Sequence, residues 1–240
     1  MISILMPIYN GIEFIEESVS SVLKQTDDRW ELLIGINGHP ENSEVYKIAK
    51  SYELVSDKIR VFDFYEIRGK SAALNEMVKY ALYDYVAILD VDDVWGPLKL
   101  EKQIPFVLDG YDVIGSRCVY FGKESHRGII PRIPTGDISE TNFFLDNPII
   151  NSSVIIRKKY AYWSNHENTG VEDYDLWLEL RSKHCRFYNC SQALVKHRIH
   201  DSSAFNANGN SNHVSALLEK HLRNCWTMDS TNVNYSISNI

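Results

Sequence analysis

The 240-residue sequence predicts an α/β protein: a mostly parallel, Rossmann-like sheet flanked by helices, followed by a smaller mixed portion. Three observations predict it. Short apolar runs alternate with segments of helical periodicity through the first half of the chain. The fourth run, Tyr85 to Leu89, leads directly into Asp90-Val91-Asp92-Asp93, at the carboxyl end where open α/β sheets hold their ligands. Beyond residue 115 the alternation becomes irregular, with a long Gly- and Pro-bearing stretch between apolar runs.

Ile2 to Ile8 is a nearly unbroken apolar run, as a strand buried on both faces requires. A helix follows Gly11, with Ile15, Val19, Val22 and Leu23 on one face. Glu31 to Ile36 and Ile59 to Phe64 are the second and third strands, separated by a helix over Glu44 to Tyr52. Lys70 to Leu82 is helical, with Leu74, Met77, Val78 and Ala81 apolar. Such alternation implies parallel βαβ units with right-handed crossovers. Further on, Pro97 opens a helix reaching Leu108, with Pro105 kinking or ending it. Tyr111 to Phe121, Ser152 to Arg157 and Ala193 to Arg198 read as strands, Asp173 to Lys183 and His213 to Trp226 as helices. Gly122 to Asp137 is long enough for a lid or an acceptor-binding segment. The Ser- and Asn-rich stretch from Asp229 to Ile240 is expected to be poorly ordered.

A formal charge of −7 argues against a nucleic-acid or anionic-membrane surface. Cys118, Cys185, Cys190 and Cys225 form no C-x-x-C pair and read as reduced thiols of a cytoplasmic protein, peripheral to a membrane at most. No run approaches the roughly 20 apolar residues of a membrane helix.

The acidic turn is the strongest chemical signal. Three carboxylates so close repel one another unless positive charge lies between them. A divalent cation with hard oxygen ligands, Mg²⁺, Mn²⁺ or Ca²⁺, is the simplest source of that charge, and a solvated acidic loop is the plain alternative. Pro7-Ile8-Tyr9-Asn10-Gly11 closes the first strand, where Tyr9 could stack on a nucleobase or simply shape the turn. Lys70 at a helix start opposes the macrodipole, which hints at an anionic ligand. Glu172-Asp173-Tyr174-Asp175 opens a helix, and taken alone Asp173 reads as its N-cap. In Lys196-His197-Arg198-Ile199-His200, strand alternation sends His197 and His200 to opposite faces, so only one histidine is expected at a given site. Neither G-x-x-x-x-G-K-[ST] nor G-x-G-x-x-G occurs.

In this order Pro7-Ile8-Tyr9-Asn10, Gly69-Lys70 with Leu74-Asn75, Asp90-Val91-Asp92-Asp93, Glu172-Asp173-Tyr174-Asp175-Leu176-Trp177 and Arg198-Ile199-His200 resemble a family 2 glycosyltransferase of the GT-A fold. The resemblance spans Met1 to about Ser203. It implies one GT-A domain over 1–205, with a nucleotide-sugar half at 1–115 and an acceptor half at 116–205, then a C-terminal helix and polar tail at 206–240. It also implies transfer with inversion from a nucleotide sugar to a glycan, lipid-linked or protein hydroxyl, assisted by Mn²⁺ or Mg²⁺. Asp90 and Asp92 would form the family's DXD motif, Asp92 and His200 lying at the metal. Asp93 would face the donor sugar or orient the loop, and Asp173 would be the general base. Pro7, Tyr9, Asn10, Lys70, Asn75 and Glu172 would line the nucleotide sugar. The family's paired aspartates after the second strand are replaced by Ile36-Asn37-Gly38-His39-Pro40, so Asn37 would meet the base and UDP-, GDP- and dTDP-sugars all stay open. A sugar-phosphate nucleotidyltransferase or an inactive nucleotide- or glycan-binding module are the alternatives.

Overall fold

A computed structural model describes residues 1–164, 170–200 and 210–231. The strands are β1 (Ile2–Ile8), β2 (Trp30–Asn37), β3 (Ile59–Phe64), β4 (Tyr85–Ile88), β5 (Val94–Trp95), β6 (Val113–Gly122), β7 (Gly136–Asp137), β8 (Ile155–Arg157) and β9 (Phe187–Ile199). The α-helices are α1 (Ile15–Leu23), α2 (Glu44–Lys50), α3 (Lys70–Tyr80), α4 (Lys99–Leu108), α5 (Glu172–Ser182) and α6 (Asn210–Thr231).

One sheet runs in the order β3-β2-β1-β4-β8-β6-β9-β5, with β7 on β9. β1 pairs in parallel with both β2 and β4, and β6 with β9, while β5, β7 and β8 run antiparallel to their partners. The strand order reverses between β1 and β4, which creates a crevice at their carboxyl ends. Pairing of β1 with β4 ends at Leu5↔Ile88, so Pro7, which has no N–H to give, lies past the shared ladder. Every residue of β1 and β2 is buried, and the sheet separates two apolar layers. Leu32, Ile34 and Ile36 pack with α1 residues Val19 and Val22 on one side, and Leu33 packs with α3 residues Leu74 and Met77 on the other. Period-2 alternation thus serves two covered faces, as both-side burial demands.

Several boundaries differ from the sequence reading. α4 begins at Lys99, because Gly96 and Pro97 form the turn that delivers it, and it runs through Pro105. β9 starts six residues earlier than its apolar pattern indicated: Phe187 to Cys190 pair with β6, and a register shift across Ser191 and Gln192 separates them from the stretch that begins at Ala193. α5 opens at Glu172 with Val171 at the cap position, so Asp173 belongs to the first turn and is not an N-cap. α6 reaches Thr231, so the stretch expected to be poorly ordered begins inside a helix, and residues 232–240 lie outside the described residues, as do residues 201–205 of the expected domain.

α6 docks on α5. Asp175, 1% exposed, accepts hydrogen bonds from Lys220 Nζ at 3.0 and 3.1 Å and from His221 Nε2 at 2.5 Å, while Leu217 joins the apolar layer beside it. No helix among the described residues is long and apolar enough to cross a membrane. Cys118, Cys185 and Cys190 are buried and free of disulfides.

Candidate active site

The carboxyl ends of β1, β4 and β9 bring the sequence motifs together. Asp93, 0% exposed, turns back under the acidic loop: its N–H donates to Asp90 O, and its carboxylate accepts from His197 Nδ1 at 2.9 Å and Arg198 N at 2.8 Å. A carboxylate buried among those donors is satisfied by them and ties the acidic loop to β9. Asp92 Oδ2 meets His200 Nε2 at 2.9 Å. Both histidines therefore reach the acidic turn, against the expectation from alternation. β9 ends at Ile199, so His200 stands just beyond the pleat and its direction is not set by it.

Arg198 fastens the same corner. Its Nε donates to Asp92 O at 2.8 Å, its guanidinium pairs with Glu17, and it lies between the rings of Phe14 and Phe121, 4.4 and 4.2 Å from their centroids.

Lys70 is the first residue of α3, behind Gly69 in a left-handed conformation (φ 84°). The anion it was expected to await is internal: Nζ lies 2.6 Å from Asp90 Oδ1. Burial opposes its charge, but Asp90 and Glu172 hold its pKa above the usual lysine value. Reciprocally, burial opposes ionisation of Asp90, but Lys70 overrides it and holds the carboxyl below its usual range. Asn151 Nδ2 donates to the other oxygen of Asp90 at 3.1 Å, and Ser152 Oγ accepts from its N–H at 3.2 Å. Sequence reading missed both residues, because they sit in a 3-10 turn (Asn151–Ser153) carrying no recognisable motif.

Asp92 differs from Asp90: burial and repulsion from Asp93 and Asp90 push its pKa up, against the His200 hydrogen bond and the charge of Lys70. A metal bound here would relieve the same repulsion, and the Asp92–His200 pair is a suitable oxygen–nitrogen donor set. Among the described residues no group of three or more His, Cys, Asp and Glu side chains is arranged to hold a metal. An ion held by this pair would need water or phosphate oxygens to complete its shell.

Asp173, in the first turn of α5, is pushed up to about 6 by burial and by Glu172, with Lys70 opposing. Its Oδ1 accepts from Tyr174 N at 2.7 Å, and its Oδ2 accepts from Asn147 Nδ2 at 3.3 Å. Among the described residues, Glu172 Oε2 is buried with no hydrogen-bond partner, as is Asn151 Oδ1. The site thus carries two acceptors that want donors.

The remaining candidates divide. Tyr9 is 56% exposed; its ring rests on Gly38, where a Cβ would stand 3.0 Å from it, and neighbours His39 at 5.4 Å. Asn10 is exposed beside it. Pro7 and Asn37 are buried, the latter 2% exposed as the last residue of β2, so neither offers an open edge. Asn75 is not a free ligand: Nδ2 donates to Trp163 O at 2.8 Å, and Oδ1 accepts from Trp163 N at 2.9 Å. Both ends of its amide pin that segment to α3.

Comparison with known proteins agrees with this architecture. Residues 3–164 match the family described as Glycosyl transferase family 2. The O-antigen biosynthesis glycosyltransferase WbnJ of Escherichia coli is 31% identical over 216 residues, covering 85% of this chain and 81% of that protein. Among solved structures, S. aureus TarS (residues 1–349) in complex with UDP-GlcNAc superposes with a TM-score of 0.69 at 18% identity, covering 96% of this chain and 74% of that one. The mannosyltransferase PcManGT from Pyrobaculum calidifontis, in complex with GDP-Man and Mn²⁺, gives 0.69 at 13% identity, covering 92% and 64%. At such identities the superpositions speak to the fold, which is GT-A, and the sequence matches speak to the family. With the family matched over more than half its length, the chain belongs to glycosyltransferase family 2 and is an enzyme of sugar transfer.

Proposed function

We propose that this enzyme transfers a sugar from a nucleotide-sugar donor to a hydroxyl acceptor with inversion, assisted by Mn²⁺ or Mg²⁺ held at Asp92 and His200. One observation carries the reading: two carboxyl groups linked by one lysine are driven in opposite directions. Asp90 is held ionised by Lys70, while Asp173 is pushed up to about 6. Separated pKa values mark separate roles. A permanently ionised group suits charge placement near the leaving diphosphate, and a carboxylate titrating near 6 suits a general base at neutral pH.

In this mechanism Tyr9 supplies an open aromatic face for the nucleobase. When bound, the cation neutralises charge developing on the leaving nucleoside diphosphate. Asp173 Oδ2 takes the proton of the acceptor hydroxyl as that oxygen attacks the anomeric carbon, and Asn147 and the Tyr174 N–H orient the carboxylate for it. Glu172 Oε2 and Asn151 Oδ1, buried and unpartnered among the described residues, are ready acceptors for sugar hydroxyls.

The solved neighbours hold a UDP-sugar and a GDP-sugar, so the shared fold takes more than one base, and UDP, GDP and dTDP remain the candidates. WbnJ acts in O-antigen biosynthesis, which supports a glycan or lipid-linked acceptor. The test is thermal stabilisation by UDP, GDP, dTDP and CDP, each with Mn²⁺ or Mg²⁺ and with chelator. One nucleotide should stabilise the protein only with metal; no metal-dependent shift with any of the four would defeat the reading.

A further inference from the structure

Lys99 is fully buried in α4, and among the described residues no carboxylate pairs with it. Its ammonium donates to Gln103 Oε1 at 2.6 Å and lies 3.9 Å from the ring centroid of Trp95. A lysine in such a place is costly, since its charge is desolvated against an amide oxygen, an indole face and the nearby Cys190 thiol, with no carboxylate among the described residues. Burial accordingly pushes its pKa down to about 7.

The arrangement has a direction. Charged or neutral, the Lys99 amine keeps N–H groups to give, and it donates to Gln103 Oε1, holding the amide oxygen towards itself. Gln103 Nε2 is then obliged to face the other way, where it donates to Ile114 O at 3.1 Å and Ser153 O at 2.9 Å. Trp95, beneath the same ammonium, donates Nε1–H to Ser152 O at 2.8 Å. Two neighbouring carbonyls of the Asn151–Ser153 turn are thus held by the two groups that Lys99 touches. That turn in turn holds Asp90, through Ser152 Oγ on its N–H and Asn151 Nδ2 on its carboxylate.

We propose that Lys99 is a positioning residue of the donor site, locking through Gln103 and Trp95 the turn that sets Asp90. This rests on the reading of Asp90 as part of the nucleotide-sugar site. Without the Lys99 amine, Gln103 Oε1 is left buried without its donor, and the amide shifts to find one, loosening its hold on Ser153 O.

The experiment compares Lys99→Met, which keeps the length and apolar stem, with Ile104→Val, which thins the same helix's core contacts without touching the hydrogen-bond chain. Calorimetric Kd values are measured for UDP, GDP, dTDP and CDP with Mn²⁺, beside Tm. Lys99→Met should weaken the nucleotide that binds wild type by about tenfold, as loss of an outer support does, while Ile104→Val leaves that Kd unchanged at a comparable Tm. Should Lys99→Met fail to fold, Trp95→Phe, which removes the Nε1–H donor and part of the ring volume while keeping an aromatic face, must show the same loss. A folded variant that binds like wild type, or an equal loss in Ile104→Val, overturns the positioning role. If wild type binds none of the four nucleotides, the donor reading itself has failed, and this inference falls with it.

Discussion

Lys70 Nζ lies 2.6 Å from Asp90 Oδ1, so the cation that opens α3 and the first carboxylate of the acidic turn neutralise each other within the chain. Lys70 also depresses the carboxyl of Asp173, against burial and Glu172. Lys70→Met should therefore release both carboxyl groups towards higher pKa. In a pH profile of kcat/KM the acid limb should move above its wild-type position, and turnover at pH 7 should fall. An unmoved acid limb would show that Lys70 does not tune the base.

Asp173→Asn should keep metal-dependent nucleotide binding and lose turnover by about 10²- to 10⁴-fold, the usual worth of a general base. In wild type the acid limb of kcat/KM should lie near pH 6, where Asp173 ionises. The same shift has a consequence for stability. The native state holds this proton to a higher pH than the unfolded chain does, so stability declines as pH rises from about 4 through about 6. Asp173→Asn removes that decline, and its Tm at pH 8 should exceed that of wild type; a lower Tm would argue against a charge held at a cost.

Asp92→Asn and His200→Ala should each weaken nucleotide binding in the presence of Mn²⁺ by about tenfold or more, and leave the much weaker binding in chelator unchanged. Isothermal titration with and without EDTA checks this. Equal losses in both conditions would mean that the pair contacts nucleotide without metal.

Asp93→Ala should behave differently, as a failure of folding before a failure of chemistry. It strips a fully buried carboxylate from His197 and from the Arg198 N–H, a change of the kind that costs about 3–5 kcal/mol. Urea denaturation should show the loss, whereas Asp92→Asn, whose carboxyl is already crowded by Asp93 and Asp90, should be nearly neutral or stabilising.

The contrast between these two neighbouring aspartates shows what could be read from the chain alone. The parallel strands β1 to β4 were legible because their apolar runs have no competing interpretation, and the acidic turn because it sits where such a sheet ends. Pairings were not. That Asp93 points inward and Asp92 outward depends on β5 returning to pair Val94 with Lys196, a two-residue strand no pattern announces. The partner of Lys70 was invisible for the same reason, Asp90 being twenty positions away across a crossover. Asn75 is a further case: nothing near a polar residue one turn into a helix announces that it bonds the main chain of Trp163, 88 residues on. The start of β9 was missed because it is held by its neighbour β6 and not by its own alternation.

Asp175→Ala should cost about 3–5 kcal/mol, since it leaves Lys220 and His221 without their shared carboxylate. Limited proteolysis or amide exchange should show α6 opening first; unchanged protection of α6 would mean that its apolar contacts alone hold it.

The same carboxylate ties the end of the chain to its chemistry. Asp175 is two residues from Asp173 on α5, so the helix that carries the proposed base is anchored by a segment some fifty residues downstream. A protein shortened ahead of residue 210 would keep every motif by which it is recognised, yet lose the counterweight behind its base. Low activity in such a truncated protein would then report a loosened α5, and not a missing substrate.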